Sequence, residues 1–130
     1  MSWDQLAHAK YVLLTTYKKD GSPVGTPVWV APEGERLLVW TNATSWKVKR
    51  IRRRPEVTVQ VSDNRGRPVG EEVYSGAAEI LDPAGTERTR DIVARKYGIL
   101  GTLAIRGHKL LRGAGGSVGI AITERPGSAG

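Results

Sequence analysis

Six short runs rich in β-forming residues, separated by turn signals, constrain this chain more than any other feature. The clearest is Val57-Thr58-Val59-Gln60-Val61-Ser62, which alternates apolar and polar positions and so predicts a strand with one buried face. The others are Tyr11 to Thr16, Gly25 to Ala31, Arg36 to Thr41, Glu72 to Leu81 and Ser117 to Thr123. Lys19-Asp20-Gly21-Ser22, Pro32-Glu33-Gly34-Glu35 and the Asp63 to Pro68 segment supply the turns. Pro27 cannot donate to a ladder, so its strand should lie at an edge or a bulge, and Gly76 marks a second expected bulge. So many short strands, with few helices between them, predict a mainly β fold: a six-stranded antiparallel barrel with short covering helices. Closing a barrel also removes exposed sheet edges.

Three helices are expected around that barrel. Asp4 to Lys10 has a weak apolar side, the basic segment after Trp46 should end at Pro55, and Asp82-Pro83 reads as a cap and first helical residue. The third helix should run to Tyr97 and stop at Gly98; residues 99–112 give no clear pattern. At 130 residues, the chain reads as one domain over 1–124 with a loose tail over 125–130. No apolar run approaches the roughly 20 residues that span a bilayer, and Met1-Ser2-Trp3-Asp4 has no signal-peptide layout, so a cytoplasmic location is expected. The absence of cysteine excludes disulfides, thiolate catalysis and Cys-ligated metal, and His8 and His108 are too few for a histidine metal cluster.

Charge is distributed unevenly. Six of the twenty lysines and arginines, and none of the thirteen acids, fall between Lys47 and Arg54, in a chain of net charge +7. On a helix, Val48 and Ile51 would face the barrel, while Lys47 with Arg50, and Lys49 with Arg53, would form two further stripes. Lys47 and Lys49 would stand near the positive end of the helix dipole, at a cost of about 0.3–1 kcal/mol each. Thr44 or Ser45 could cap the helix. A phosphate at that end would turn repulsion into attraction, because N–H groups, a hydroxyl and a lysine would converge on it. A basic helix can also be a merely solvated face, but the unbroken run favours an anionic ligand.

The order of these segments resembles the split-barrel flavin-binding family that includes the pyridoxamine 5'-phosphate oxidases, and within it the small deazaflavin (coenzyme F420)-dependent oxidoreductases. The likeness rests on Tyr11 to Thr16, Lys19-Asp20-Gly21-Ser22-Pro23, Gly25 to Val30, Trp40-Thr41-Asn42, Ser45-Trp46-Lys47 and Arg54-Pro55. Arg95-Lys96-Tyr97-Gly98 and Val118-Gly119-Ile120-Ala121 match one subgroup. The resemblance implies a split β-barrel homodimer with a flavin or deazaflavin at the interface. It implies that Pro27, Val28 and Trp29 flank the ring, that Thr41, Asn42, Ser45 and Lys47 bind phosphate, and that Lys49 and Arg50 assist or reach an acidic tail. The chain departs from the Ser-Arg-Lys of the flavin-dependent pyridoxamine oxidases at Ser45-Trp46-Lys47. It also lacks their C-terminal pyridoxal phosphate region, which argues against pyridoxamine oxidation.

An F420-dependent oxidoreductase acting on a small conjugated substrate is therefore the leading expectation, because the lactyl-oligoglutamate tail of F420 offers several carboxylates where FMN offers one phosphate. An FMN-binding oxidoreductase is the alternative within the fold. A nucleic-acid-binding module and a non-catalytic cofactor carrier are the alternatives outside it; nucleic acid is disfavoured because only Trp46 adjoins the basic run. No catalytic residue is assigned. Tyr11, Tyr17, Tyr74, Tyr97 and His108 could donate a proton, but each reads first as core, surface or hydrogen-bond filler. Gly113 to Gly119 resembles a dinucleotide loop but leads into a strand, so it reads as a turn. Trp29, Trp40 and Trp46 could wall a flat ring or anchor the core.

Overall fold

The computed structural model describes residues 3–112 and 116–125. Helix α1 (Trp3–His8) precedes strands β1 (Tyr11–Tyr17), β2 (Pro23–Trp29), β3 (Ala31–Glu33) and β4 (Arg36–Asn42); α2 (Trp46–Arg53) follows. Then come β5 (Glu56–Ser62), β6 (Tyr74–Ile80), α3 (Pro83–Arg112) and β7 (Ser117–Glu124). All seven strands form one antiparallel sheet in the order β2-β1-β5-β6-β7-β4-β3. Its two edge strands, β2 and β3, are separated by a single residue, Val30, which is fully buried. The sheet must therefore curl until its edges meet, and β2 also contacts β4. The result is a split barrel.

Seven strands form where six were expected. The run from Gly25 to Ala31 breaks at Val30, because side chains of α3 take over the hydrogen bonds of that residue: the Tyr97 hydroxyl accepts from its N–H at 3.0 Å, and the Lys96 ammonium donates to its carbonyl at 2.6 Å. Ala31 to Glu33 then pairs back on Arg36 to Leu38 across Gly34, whose φ of +59° is a conformation glycine adopts without strain. Pro27 and Pro32 lie on the two edge strands, where a residue without an N–H is tolerated. Gly76 is not a bulge. Its register is continuous on both sides, and a Cβ there would lie 2.8 Å from Ile122 Cγ2, so close packing requires the glycine.

The barrel interior follows the period-2 pattern. Val12 and Leu14, Val57 and Val59, Leu37 and Val39, and Ile120 and Ile122 point inward and are essentially inaccessible. Burying each such side chain contributes about 1.5–3 kcal/mol. Val48 and Ile51 of α2 join this core, as the three-residue spacing predicts. Leu38 and Ala121 face the other way and are equally buried, because α3 lies over β4 and β7.

The third helix starts as expected: Asp82 Oδ1 accepts from the Gly85 N–H at 2.7 Å. Gly98, with φ +64° and ψ −135°, breaks the helix, but a second helical segment continues from it to Arg112. The expected strand from Glu72 to Leu81 is shorter, spanning Tyr74–Ile80. Arg125 donates to the Ser75 carbonyl at 3.1 Å; the remainder of the expected tail, and residues 113–115 of the glycine-rich turn, lie outside the described residues. Among the described residues, no helix is long and apolar enough to cross a membrane.

Candidate cofactor site

The turn from β4 into α2 brings together polar groups, of which Ser45 Oγ lacks a partner and the start of α2 lacks a side-chain cap. Thr41 and Asn42 end β4, paired with Val118 and Ser117 of β7. Asn42 Oδ1 accepts from both the Thr44 N–H and the Thr44 hydroxyl at 3.0 Å, which commits Thr44 and fixes the turn. Ser45 occupies the N-cap position in extended conformation, yet its side chain does not cap α2. Ser45 Oγ is instead buried without a hydrogen-bond partner. The expected cap is thus absent, and the first turn of α2 keeps N–H groups that no side chain satisfies. Lys47 is half-buried beside them, and burial, together with the neighbouring Arg50 charge, lowers its pKa below the ordinary lysine value.

A cleft of about 460 Å³ opens next to this turn, lined by Trp46, Lys49, Arg50 and Arg53 of α2 and by Lys18 and Lys19 of the β1–β2 turn. Its lining contains cations and no carboxylate. Trp46 is 68% exposed, and the Lys49 ammonium lies 4.5 Å from its ring centroid. Of the residues expected to hold an anion, Lys49 and Arg50 line this cleft; Thr41 and Asn42 at the end of β4, Ser45 before α2 and Lys47 in its first turn do not. Lys18 and Lys19 escaped the sequence reading because their only local signal was that of a hairpin turn. Turn and cleft together present an orphaned hydroxyl, N–H groups without a side-chain cap, and cations that repel one another.

Pro27, Val28 and Trp29 lie on the edge strand β2. The Val28 side chain is buried in the barrel core, so only its backbone can face a ligand. The Trp29 indole lies over the Tyr97 ring and lines a second cleft, of about 340 Å³, with His8, Lys10, Tyr11 and Leu100. Lys96 and Tyr97 hold this corner together. The Lys96 ammonium donates to the carbonyls of Ala7, Ala9 and Val30 at 2.8, 2.5 and 2.6 Å. The Tyr97 oxygen lies 2.6 Å from the Lys10 carbonyl and 2.8 Å from that of Val30, one of which takes its proton. Burial pushes the Tyr97 pKa up to about 12 and pulls Lys96 down to about 8. No spacing rule links these residues to Val30; along the chain, Lys96 stands out only as part of the Arg95 to Gly98 segment, and Tyr97 also as a helix end and a possible proton donor.

The sequence profile described as pyridoxamine 5'-phosphate oxidase matches residues 4–113, most of the chain. The chain belongs to the pyridoxamine 5'-phosphate oxidase family. Solved structures of this family type share the fold. A protein of Mycobacterium tuberculosis, Rv2991, is 24% identical with a TM-score of 0.71, covering 96% of this chain and 81% of its own. A structure described as an F420 reductase is 21% identical with a TM-score of 0.61, covering 96% and 94%. A FAD-binding protein from Mesorhizobium loti is 21% identical with a TM-score of 0.62, covering 94% and 86%. No curated protein sequence matches the chain. The same split barrel thus occurs in a protein described as an F420 reductase and in one described as FAD-binding. Identities this low establish the barrel, and the cofactor of this member must be argued from its own residues.

Proposed function

We propose that this member of the family is an F420-dependent oxidoreductase that works on a small conjugated molecule, as a homodimer whose interface completes the cofactor site. The observation that carries the reading is the cleft of Lys18, Lys19, Lys49, Arg50 and Arg53, free of carboxylates and continuous in sequence with the uncapped start of α2. A phosphate alone could be met by the turn itself. Further cations beyond it suit a ligand whose negative charge continues past the phosphate, as the glutamates of F420 do.

In this reading Thr41, Asn42, Ser45 and Lys47 hold the phosphate, with Ser45 Oγ gaining the partner it lacks. Lys49 and Arg50, with Arg53 and the two hairpin lysines, hold the acidic tail. Backbone groups of Pro27 and Val28, and the indole of Trp29, flank the ring. A bound deazaflavin supplies hydride chemistry, which leaves the protein the tasks of position and electrostatics. Tyr97 stays protonated at neutral pH, but its proton is committed to a backbone carbonyl, so it steadies the ring-flanking strand and is not a proton donor.

The decisive experiment titrates the protein with FMN and with F420 carrying tails of increasing glutamate number, followed by tryptophan fluorescence. Affinity should rise with tail length, fall steeply with salt, and exceed that for FMN at every length. FMN binding as tight as F420 would overturn the assignment. A redox role without turnover, as a carrier, would show as F420 binding without reduction of any quinone, enone or tetrapyrrole.

A further inference from the structure

The cleft beside Trp29 has a lining whose polar groups divide into two kinds. Those of α3 are fully committed: each proton of the Lys96 ammonium has a backbone carbonyl within 2.8 Å, and the Tyr97 hydroxyl both accepts from Val30 and donates to the backbone. Facing the cleft, Tyr97 can therefore offer only ring surface, beside the indole of Trp29 and the ring of Tyr11. Leu100, 64% exposed, adds an aliphatic side chain. Lys10 and His8 are exposed cationic or ionisable groups in the same lining, which contains no carboxylate. An aromatic wall of Trp29, Tyr97 and Tyr11 recognises a flat conjugated body, and cations beside it recognise a negative substituent. The volume, about 340 Å³, lies at the small end of the range for small-molecule sites.

We propose that this cleft is a small-molecule site distinct from the cationic cleft of α2, and that it takes a planar conjugated anion, an aromatic or enone carboxylate of about two fused rings. The cleft shares Trp29 with the strand assigned to the cofactor ring, which makes its occupant the substrate. That last step alone rests on the F420 reading; the binding site does not.

The test uses the full chain without cofactor. The indole N–H resonance of Trp29, assigned through Trp29→Phe, is followed by NMR during titration with 2-naphthoate and, separately, with uncharged 2-naphthol. The expected result is a saturable shift of Trp29 with 2-naphthoate and weaker binding of 2-naphthol. Lys10→Glu, at an exposed position, should weaken 2-naphthoate about five-fold, the scale of one solvent-exposed charge pair made repulsive, and leave 2-naphthol unchanged. Equal affinity for the two probes, or movement of the Trp46 indole in place of Trp29, would overturn the proposal. So would a Leu100→Asp variant that loses a dimer while binding 2-naphthoate normally, because the cleft would then be a contact with a second copy. Binding of 2-naphthoate at Trp29 by a protein that ignores F420 would uphold this site and refute the cofactor assignment.

Discussion

The indole of Trp29 lies on the phenol ring of Tyr97 with centroids 4.3 Å apart and planes only 8° from parallel. Stacked aromatic pairs contribute about 0.5–1.5 kcal/mol beyond the area they bury. This pair does more than pack, because the hydroxyl of the same tyrosine accepts from the backbone of the next residue, Val30. One side chain of α3 thus sets both the ring and the backbone at the point where the sheet passes from one edge to the other.

Tyr97→Phe separates those two roles. It keeps the ring and removes the hydroxyl, leaving the buried Val30 N–H without its partner. Urea denaturation should show a loss of about 1–3 kcal/mol, the cost of one unsatisfied buried group. A variant as stable as the parent would show that the stack alone fixes the corner.

Lys96 gives this corner a pH dependence. Burial lowers its pKa from 10.5 to about 8, while the three carbonyls that accept from the charged form oppose that shift. An amine with a lower pKa in the folded state binds fewer protons there than when unfolded, so stability rises with pH between the two values. The penalty is fully present below about pH 8 and gone above about 10.5. The stability of the parent relative to Lys96→Met should therefore increase across that window. The ε-carbon resonance of Lys96 should titrate near 8; a midpoint at the ordinary lysine value would mean that the carbonyls outweigh burial.

Ser45 and Lys47 should behave as ligand-binding residues rather than as structural ones. Ser45 Oγ has no partner to lose, so Ser45→Ala should leave the free protein as stable as the parent or more so. Lys47→Ala removes a half-buried cation from beside Arg50 and should do the same. Both should weaken F420 binding, Lys47→Ala by about 1.5–3 kcal/mol, the range for hydrogen bonds to charged groups. Calorimetry with and without cofactor reads both effects. Unchanged F420 affinity in Lys47→Ala would mean that the phosphate sits elsewhere.

Gly119 should tolerate no side chain. A Cβ there would lie 2.4 Å from Thr89 Oγ1 and 2.9 Å from Thr89 Cβ, where α3 crosses β7. Gly119→Ala should cost about 1–3 kcal/mol in thermal or urea unfolding, as overpacked positions do. Adding Thr89→Ala should recover part of that loss, because it removes the nearer of the two contacts. Full stability of the single variant would show that α3 moves freely on the sheet.

Much of the barrel was legible along the chain. The β runs, their turns, the inward Val48 and Ile51 of α2 and the Asp82 cap are set by contacts only a few residues apart, which periodicity and turn chemistry report directly. Gly76 shows the limit of such signals: a glycine inside a strand announces a constraint, but only the position of Ile122 reveals it as close packing. The cation run also announced a concentration of positive charge, without the Lys18 and Lys19 that face it across the fold.

By itself the sequence determined a mainly antiparallel β chain with a basic helix after its third expected strand, because those properties follow from neighbours within one turn or one hairpin. Tertiary structure alone decided that the second β run breaks at Val30, that Lys96 and Tyr97 hold that break, and that Trp29 rests on Tyr97. These partners stand 66 to 68 positions apart, as the 67 from Val30 to Tyr97 shows. They meet only because the curled sheet and the packed helix bring them together, and no local pattern encodes where a long helix will land on a closed barrel.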